Sequence, residues 1–413
     1  MAAITAARRQ ISVLRDNRYL KWAGILVLVT VAFLFPSFES GPTIDTSNLA
    51  EVYILLALGL NIVVGFAGLL DLGYASFFAI GAYVTAMLAS NHFTINMHTI
   101  SNAFFSIGPG GIHIDFFLLI PLAALLAALF GMMFGAPTLR LRGDYLAIVT
   151  LGFGEIVPKV IENLGPANSL GLPNITNGVN NITGIDSPPN VKFWFINWNF
   201  SSGDPAPFFY LGLIIIIISV IVIIRLRDSR LGRSWMAMRE DEIAAAHSGI
   251  NITGTRLTAF ALGAAFSGFG GLLEASRLGS VTFSQFLFQV SVTILVMVIL
   301  GGIGSIPGVM LGGFLIAFLD QAWLGDVGTF INNLGHSMHQ LGGPLGPTGS
   351  WLHTLPVAGA KPMIFGFILV GIMLLRPQGL WPNRTRAKEL KPETAWESAE
   401  EQAELYTVRT GEL

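Results

Sequence analysis

The 413-residue chain contains no cysteine, which excludes disulfide staples, thiolate metal sites and a cysteine nucleophile. Charge is scarce: 12% of residues are Asp, Glu, Lys or Arg, against roughly a quarter in ordinary soluble domains. The net charge of −2 offers no electrostatic basis for nucleic-acid binding. None of the six lysines (Lys21, Lys159, Lys192, Lys361, Lys388, Lys391) follows a glycine. The phosphate-cradling loop G-x-x-x-x-G-K-[ST] is therefore missing, and the chain cannot itself be the motor of an ATP-driven system. The seven histidines show no metal-ligand spacing on a helix, and His336, His339 and His353 fall in a loop-like stretch. No metal, no cofactor and no enzymatic chemistry are expected.

What the chain has is apolar sequence (53%) and 47 glycines, a composition that points to an all-α integral membrane protein. A span needs about 20 mostly apolar residues. About ten transmembrane helices are expected, at 22–38, 49–68, 72–90, 116–137, 145–164, 208–225, 257–275, 288–306, 308–325 and 360–375. Buried helices of a large soluble protein are a poor alternative, because too few charged residues remain to solvate its surface.

The basic residues orient these spans. With the N-terminus inside, segments 1–21, 138–144, 225–256 and 376–413 hold 19 of the 23 Lys and Arg. The outside loops hold two, Lys192 and Arg277. Both termini of this multi-pass protein are thus expected in the cytoplasm. The stretch 22–38 ends in FLFPSFES without a small-x-small cleavage site, so an uncleaved anchor is expected rather than a signal peptide. The domain plan is a cytoplasmic segment 1–21, a transmembrane domain 22–375 and a cytoplasmic acidic tail 376–413. Outer loops 165–207 and 326–359 read as docking surfaces or solvated connectors. Around the central loop, 49–164 and 257–375 each hold four spans of opposite starting side, the arithmetic of an inverted repeat of two four-helix halves.

The most informative stretch is 225–256, RLRDSRLGRSWMAMREDEIAAAHSGINITGTR. Charges of both signs sit on a short apolar body, and the pattern predicts two short helices, with Gly232 breaking the first and Gly249 stopping the second. A solvated connector and a helix made to sit in a partner's groove both fit that pattern. The string GRSWMAMREDEIAAAHSGIN resembles the cytoplasmic EAA-type loop of ABC importer permeases, in the version found in branched-chain amino acid permeases of the LivM type. Four other stretches are similar to that family in the same order: LNIVVGFAGLLDLGYASFFAIGAYVTAML (60–88), LRLRGDYLAIVTLGFGEIV (139–157), LGGIGSIPGVMLGGFLIAFL (300–319) and RPQGLWP (376–382). The likeness spans about 49–382. Asp71 and Tyr74 depart from the Ser and His that many relatives carry there, and loops 91–115 and 326–359 have no counterpart.

The resemblance implies a permease subunit of an ATP-driven importer for branched-chain or related amino acids. It also implies partners: a second, LivH-type permease subunit, two ABC ATPase subunits and a periplasmic substrate-binding protein. Gly232, Arg233, Arg239, Glu240, Asp241, Glu242 and Gly249 become the ATPase-coupling candidates. For the translocation path, Asn61, Gly65, Gly68, Tyr74, Phe77, Phe78 and Tyr83 lie on a glycine-rich stretch. Gly65 and Gly68 before Asp71 suggest an interrupted helix, although close helix packing is the weightier reading of such glycines. Gly304, Gly308 and Gly312, like Gly131 and Gly135, read as packing positions. A charge at the bilayer centre costs at least ~2.5–3.5 kcal/mol. Asp144 has Arg140 and Arg142 nearby, Glu274 has Arg277, Asp320 is a further candidate, and Asp71 falls at a predicted inner turn. Glu155, mid-span in LGFGEIV, could line the path or pair with a partner subunit and joins the path candidates. An ion-coupled secondary transporter using Glu155 and Asp71, and an ABC permease for urea or short-chain amides, are the competing readings.

Overall fold

The computed structural model describes residues 33–39, 41–93, 100–102, 104–138, 144–166, 174–193, 196–200, 203–323, 361–376 and 378–381, with isolated positions at 30, 141, 333–334 and 336–337. The segment 1–21, most of the expected span 22–38, nearly all of loop 326–359 and the tail beyond 381 lie outside the described residues. So do Arg140 and Arg142.

Long apolar runs make the frame. Helix α1 (Gly41–Leu60) continues into a π-helical turn, Asn61–Phe66, and α2 (Ala75–Leu88) follows after a break. Then come α3 (Phe116–Thr138), α4 (Asp144–Asn163) and α5 (Ala206–Arg227). Two short helices, α6 (Arg230–Glu240) and α7 (Glu242–His247), precede α8 (Ile252–Leu278), α9 (Phe288–Gly301), α10 (Ile306–Phe318) and α11 (Lys361–Leu375). Among the described residues, five helices are long and apolar enough to cross a membrane: Gly41–Phe66, Phe116–Thr138, Ala206–Arg227, Ile252–Leu278 and Phe283–Gly301. Ala75–Leu88, Ile306–Gln321 and Met363–Leu375 are apolar but shorter. The 20-residue α4 carries Asp144, Glu155, Lys159 and Glu162, and these charges keep it out of the apolar set.

Helix α8 is the hub, packed against α1, α2 and α3. Its contacts run through glycines. A Cβ on Gly81 would lie 2.5 Å from the Gly268 carbonyl oxygen, and one on Gly131 would lie 2.7 Å from Ala264 Cβ. The outer faces of α3 and α5 instead expose Leu125, Leu129, Met133, Ile218 and Ile221, an inside-out pattern suited to lipid. The span expected at 49–68 starts eight residues earlier than hydropathy predicts, at Gly41. Asp45, Asn48 and Glu51 dilute the apolar signal there, yet Arg277 Nη1 bonds Asp45 Oδ1 at 2.6 Å and the Asn48 amide donates to the Pro205 carbonyl at 3.0 Å.

The expectation of an all-helical chain needs one correction. Beyond the helix ends opposite α6 and α7, a four-stranded antiparallel sheet forms from β1 (Ala89–Ser90), β2 (Ile100–Ser101), β3 (Phe105–Gly108) and β4 (Gly111–Ile114), in the order β1-β4-β3-β2. Within 165–207, β5 (Ile182–Thr183) pairs with β8 (Ser280–Val281), and β6 (Val191–Phe193) pairs with β7 (Ile196–Trp198). These loops pair their backbone groups with one another, as chain leaving a helix must. His113 Nδ1 meets Asp186 Oδ2 at 2.6 Å and ties the sheet to the second loop.

Candidate functional site

The first element of the site is the break between α1 and α2. The tyrosine hydroxyl of Tyr74 donates to the carbonyl of Gly263 at 2.8 Å, which places the start of α2 eleven residues along the 27-residue α8. The fourteen residues of α2 rise only about 21 Å, less than the ~30 Å hydrocarbon core. It is therefore half a span, reached by non-helical chain at membrane depth. Such chain is tolerated only when protein satisfies it, and that condition is met here. Leu72 N–H donates to Thr150 Oγ1 (3.0 Å), Gly73 N–H to Asp71 Oδ1 (2.9 Å) and Ala75 N–H to Ser291 Oγ (2.9 Å). The close seat of Gly73 against the Thr150 backbone leaves no room for a Cβ. The second oxygen of the buried Asp71 carboxylate has no protein partner, and the residue borders a small void with Phe77, Phe134, Phe153 and Phe260.

At the other side of the break, Asn61 Oδ1 accepts from Gly304 N–H at 2.8 Å, linking the π-helical turn to the glycine-rich connection between α9 and α10. That turn is where an extra residue per turn re-aims carbonyls. One of them, Gly65 C=O, accepts from Arg239 Nη1 at 2.6 Å. Gly68 has φ +71°, and a Cβ there would lie 2.6 Å from Arg239 Cγ, so both backbone and space require glycine.

Arg239 belongs to the second element, the loop 228–251. Ser229 N-caps α6 by accepting from Gly232 N–H, and Asp241 N-caps α7 by accepting from Ile243 and Ala244 N–H. The predicted break at Gly232 is thus misplaced: Gly232 lies inside α6, pressed on the Arg227 carbonyl, and the helix boundaries fall at Ser229 and Asp241 because those side chains cap. Gly249, at φ +83°, closes α7 as expected. Trp235 is fully buried and its indole N–H donates to Thr255 C=O at 2.9 Å, anchoring α6 on α8. Glu242 pairs with the nearly buried Arg256 at 2.7 Å.

The seven coupling candidates therefore divide. Gly232, Arg239 and Glu242 turn toward the membrane helices, whereas Arg233, Glu240, Asp241 and Gly249 face solvent beside exposed Leu231, Met236 and Ile243. Of the path candidates, Asn61, Gly65, Tyr74, Phe77 and Phe78 are buried around the break, Tyr83 is buried farther along α2 against Phe286, and Gly68 is exposed at the edge of the break. Glu155 is not brought to them. It lies on the exposed face of α4 with Ile156 and Val160. Glu274 meets Arg277 at 2.9 Å, the local pair expected, and Asp320 sits in the π-helical turn Leu319–Trp323. Gly308 packs on Gly301, Gly312 on the Met297 carbonyl, and Gly131 and Gly135 on α8, all packing positions. Trp235, Thr150, Ser291 and Arg256 escaped the sequence reading. Only the lone tryptophan in a charged loop carried a signal. No group of three acidic or histidine ligands occurs among the described residues.

Comparison with known proteins fits this arrangement. Residues 43–375 match the family model described as branched-chain amino acid transport system, permease component. The chain is 36% identical over 383 residues to the high-affinity branched-chain amino acid transport system permease protein LivM of Escherichia coli K12, covering 89% of this chain and 76% of that protein. It is 27% identical to the probable LivM of Methanocaldococcus jannaschii (81% and 91% covered) and 23% identical to LivH of Escherichia coli K12 (66% and 82% covered). No solved structure matches. The chain belongs to the branched-chain amino acid permease family, a transporter component rather than an enzyme.

Proposed function

We propose that the protein is the membrane-spanning permease subunit of an ATP-driven importer in a bacterial inner membrane, carrying branched-chain or related amino acids delivered by a periplasmic binding protein. A LivH-type permease and two ATPase subunits complete the assembly. Ten spans, both termini in the cytoplasm and two inverted four-helix halves remain the topology of this reading, with domains 1–21, 22–375 and 376–413.

The observation that carries it is the loop 228–251. Its outward face presents Leu231, Met236 and Ile243 between Arg233, Glu240 and Asp241, an apolar ridge with charges of both signs. Such a ridge suits a cleft on an ATPase, with the rim charges guiding approach. Its inward face is bonded to the broken span through Arg239 and Gly65. Closure of the ATPases would then move α6 and α7 as a body and shift the break lined by Asn61, Gly65, Gly68, Tyr74, Phe77, Phe78 and Tyr83. Glu155 on an outward face at mid-span is costly against lipid. That cost favours its contact with the second permease subunit.

Uptake of leucine by proteoliposomes holding the full complex tests the reading. Uptake should require enclosed ATP and the binding protein, and survive collapse of the proton gradient. If proton-gradient collapse stops uptake while ATP persists, the ion-coupled reading replaces this one. A binding protein that delivers urea or short-chain amides instead would change the substrate and leave the mechanism.

A further inference from the structure

At the end of the molecule opposite the coupling loop, the sheet β1–β4 and the segment 184–190 close over the start of α3. The cavity between them measures about 620 Å³, within the ~300–1,000 Å³ of small-molecule pockets. Its ionisable lining is Asp115, Asp186 and His113, without a lysine or arginine among the described residues. His113 already engages Asp186 at 2.6 Å, so with Asp115 the three groups are net negative whether or not the imidazole is protonated. Asp115 Oδ1 accepts from Phe117 N–H at 2.9 Å, which leaves Oδ2 for a ligand. The charge calls for a cation. Phe104, Phe105 and Phe116 supply aromatic walls around it, which suits an organic ammonium better than a metal ion.

The position of the cavity decides the rest of the ligand. Phe116 opens the apolar span Phe116–Thr138, and Phe116 and Leu119 line the cavity, so one wall stands at the membrane boundary. Two exposed phenylalanines flank Asp115: the Phe104 carbonyl accepts Asp115 N–H at 2.9 Å, and Phe117 follows two residues on. From there the exposed face of α3 continues through Leu118, Leu125 and Leu129. A molecule with an ammonium in the cavity and apolar chains along α3 is an amine-headed phospholipid. Its phosphate would meet the amide and hydroxyl donors of Asn102, Ser106 and Asn190 on the same walls. A partner protein's basic side chain would satisfy Asp115 but leave the adjoining apolar face uncovered. We propose, resting on the membrane topology of the importer reading, that this cavity binds the headgroup of an outer-leaflet phospholipid bearing a primary ammonium. The bound headgroup bridges the sheet and the first turn of α3.

The test titrates the complete permease–ATPase complex in detergent with short-chain phosphatidylethanolamine and counts bound lipid by native mass spectrometry. A saturable equivalent should bind, and a photoreactive phosphatidylethanolamine should crosslink within 104–119 or 184–190. Asp115→Asn keeps an N-cap on α3 while removing the charge. It should weaken retention roughly tenfold, the scale of one lost hydrogen bond to a charged group. Ser187→Arg, at an exposed wall position, should abolish retention by placing its own cation in the cavity. Absence of saturable retention overturns the proposal, as do unchanged retention in both variants and crosslinks confined to other segments. Equal retention of phosphatidylcholine, whose trimethylated nitrogen donates no hydrogen bond, or of phosphatidylglycerol overturns the ammonium assignment. Saturable binding of N-acetyl-lysine amide without lipid retention would give the cavity to a partner's basic side chain and overturn the lipid. Retention is read without turnover, so a complex that binds the lipid yet shows no ATP-driven uptake counts against the importer reading and supports the site.

Discussion

Arg239, in the loop between α5 and α8, donates from Nη1 to the carbonyl of Gly65 at 2.6 Å, although 174 residues separate them. The charge sits at the carbonyl end of a helix, where a cation is favoured, and its stem packs on Gly68. This one bond joins a solvent-facing loop to the interruption of a membrane span.

Arg239→Gln should lower the number of leucine molecules imported per ATP hydrolysed. Hydrogen bonds to charged groups contribute about 1.5–3 kcal/mol, so a fall of roughly tenfold is expected. Co-purification with the ATPases should persist, because the outward ridge is untouched. An unchanged ratio of uptake to hydrolysis would remove Arg239 from the coupling route.

Glu242→Gln should destabilise the loop. Arg256 is nearly buried, and removing one member of a buried ion pair costs about 3–5 kcal/mol; partial exposure of Glu242 places the expected loss at the lower end of that range. Hydrogen exchange across α6 and α7 would show it as reduced protection. The swap Glu242→Arg with Arg256→Glu should recover part of the loss, and failure to do so would mean that the geometry around Arg256 admits one polarity only.

Gly81→Val should cost about 1–3 kcal/mol through overpacking, because the first added carbon already meets Gly268 backbone. Gly371→Ala in α11, with nothing within 4 Å of its Cβ, should be neutral or slightly stabilising. Thermal unfolding of the two purified variants compares them directly, and equal midpoints would refute the close α2–α8 seat.

His113 lends the sheet a pH dependence. Partial burial pulls its imidazole down from the ordinary value of 6.5, but the hydrogen bond and charge of Asp186 and the Gly110 carbonyl outweigh this and leave it raised. A raised histidine contributes stability that is fully present below about 6.5 and is lost as pH rises through the higher folded value. Exchange protection of β3 and β4 should therefore weaken as pH climbs above 6.5. Asp186→Asn should flatten that profile, and an unaltered profile would show that the pair does not titrate there.

Much of the frame was legible from residue order. Continuous apolar runs such as 208–225 and 257–275 announce helices because a backbone in lipid must bond within itself. Helix ends were legible where a cap or a left-handed glycine acts locally, as at Gly249, and misread at Gly232, where the decisive acceptor was the preceding Ser229 hydroxyl. The short strands were illegible. The two-residue pairing of Ile182 with Val281 depends on a partner about a hundred residues away, and no local pattern encodes it.

The sequence by itself determined that the chain resides in a membrane, that it lacks a nucleotide loop, and that its charges collect in 225–256, since these follow from composition and spacing alone. Only the tertiary structure decided which way each charge points. Arg239 and Glu242 turn inward because Gly65 and Arg256 wait there, and Glu155 is left outward because α4 presents that face to no other part of the described chain. Side-chain direction depends on neighbours brought together by folding, and a linear sequence holds the charges without their partners.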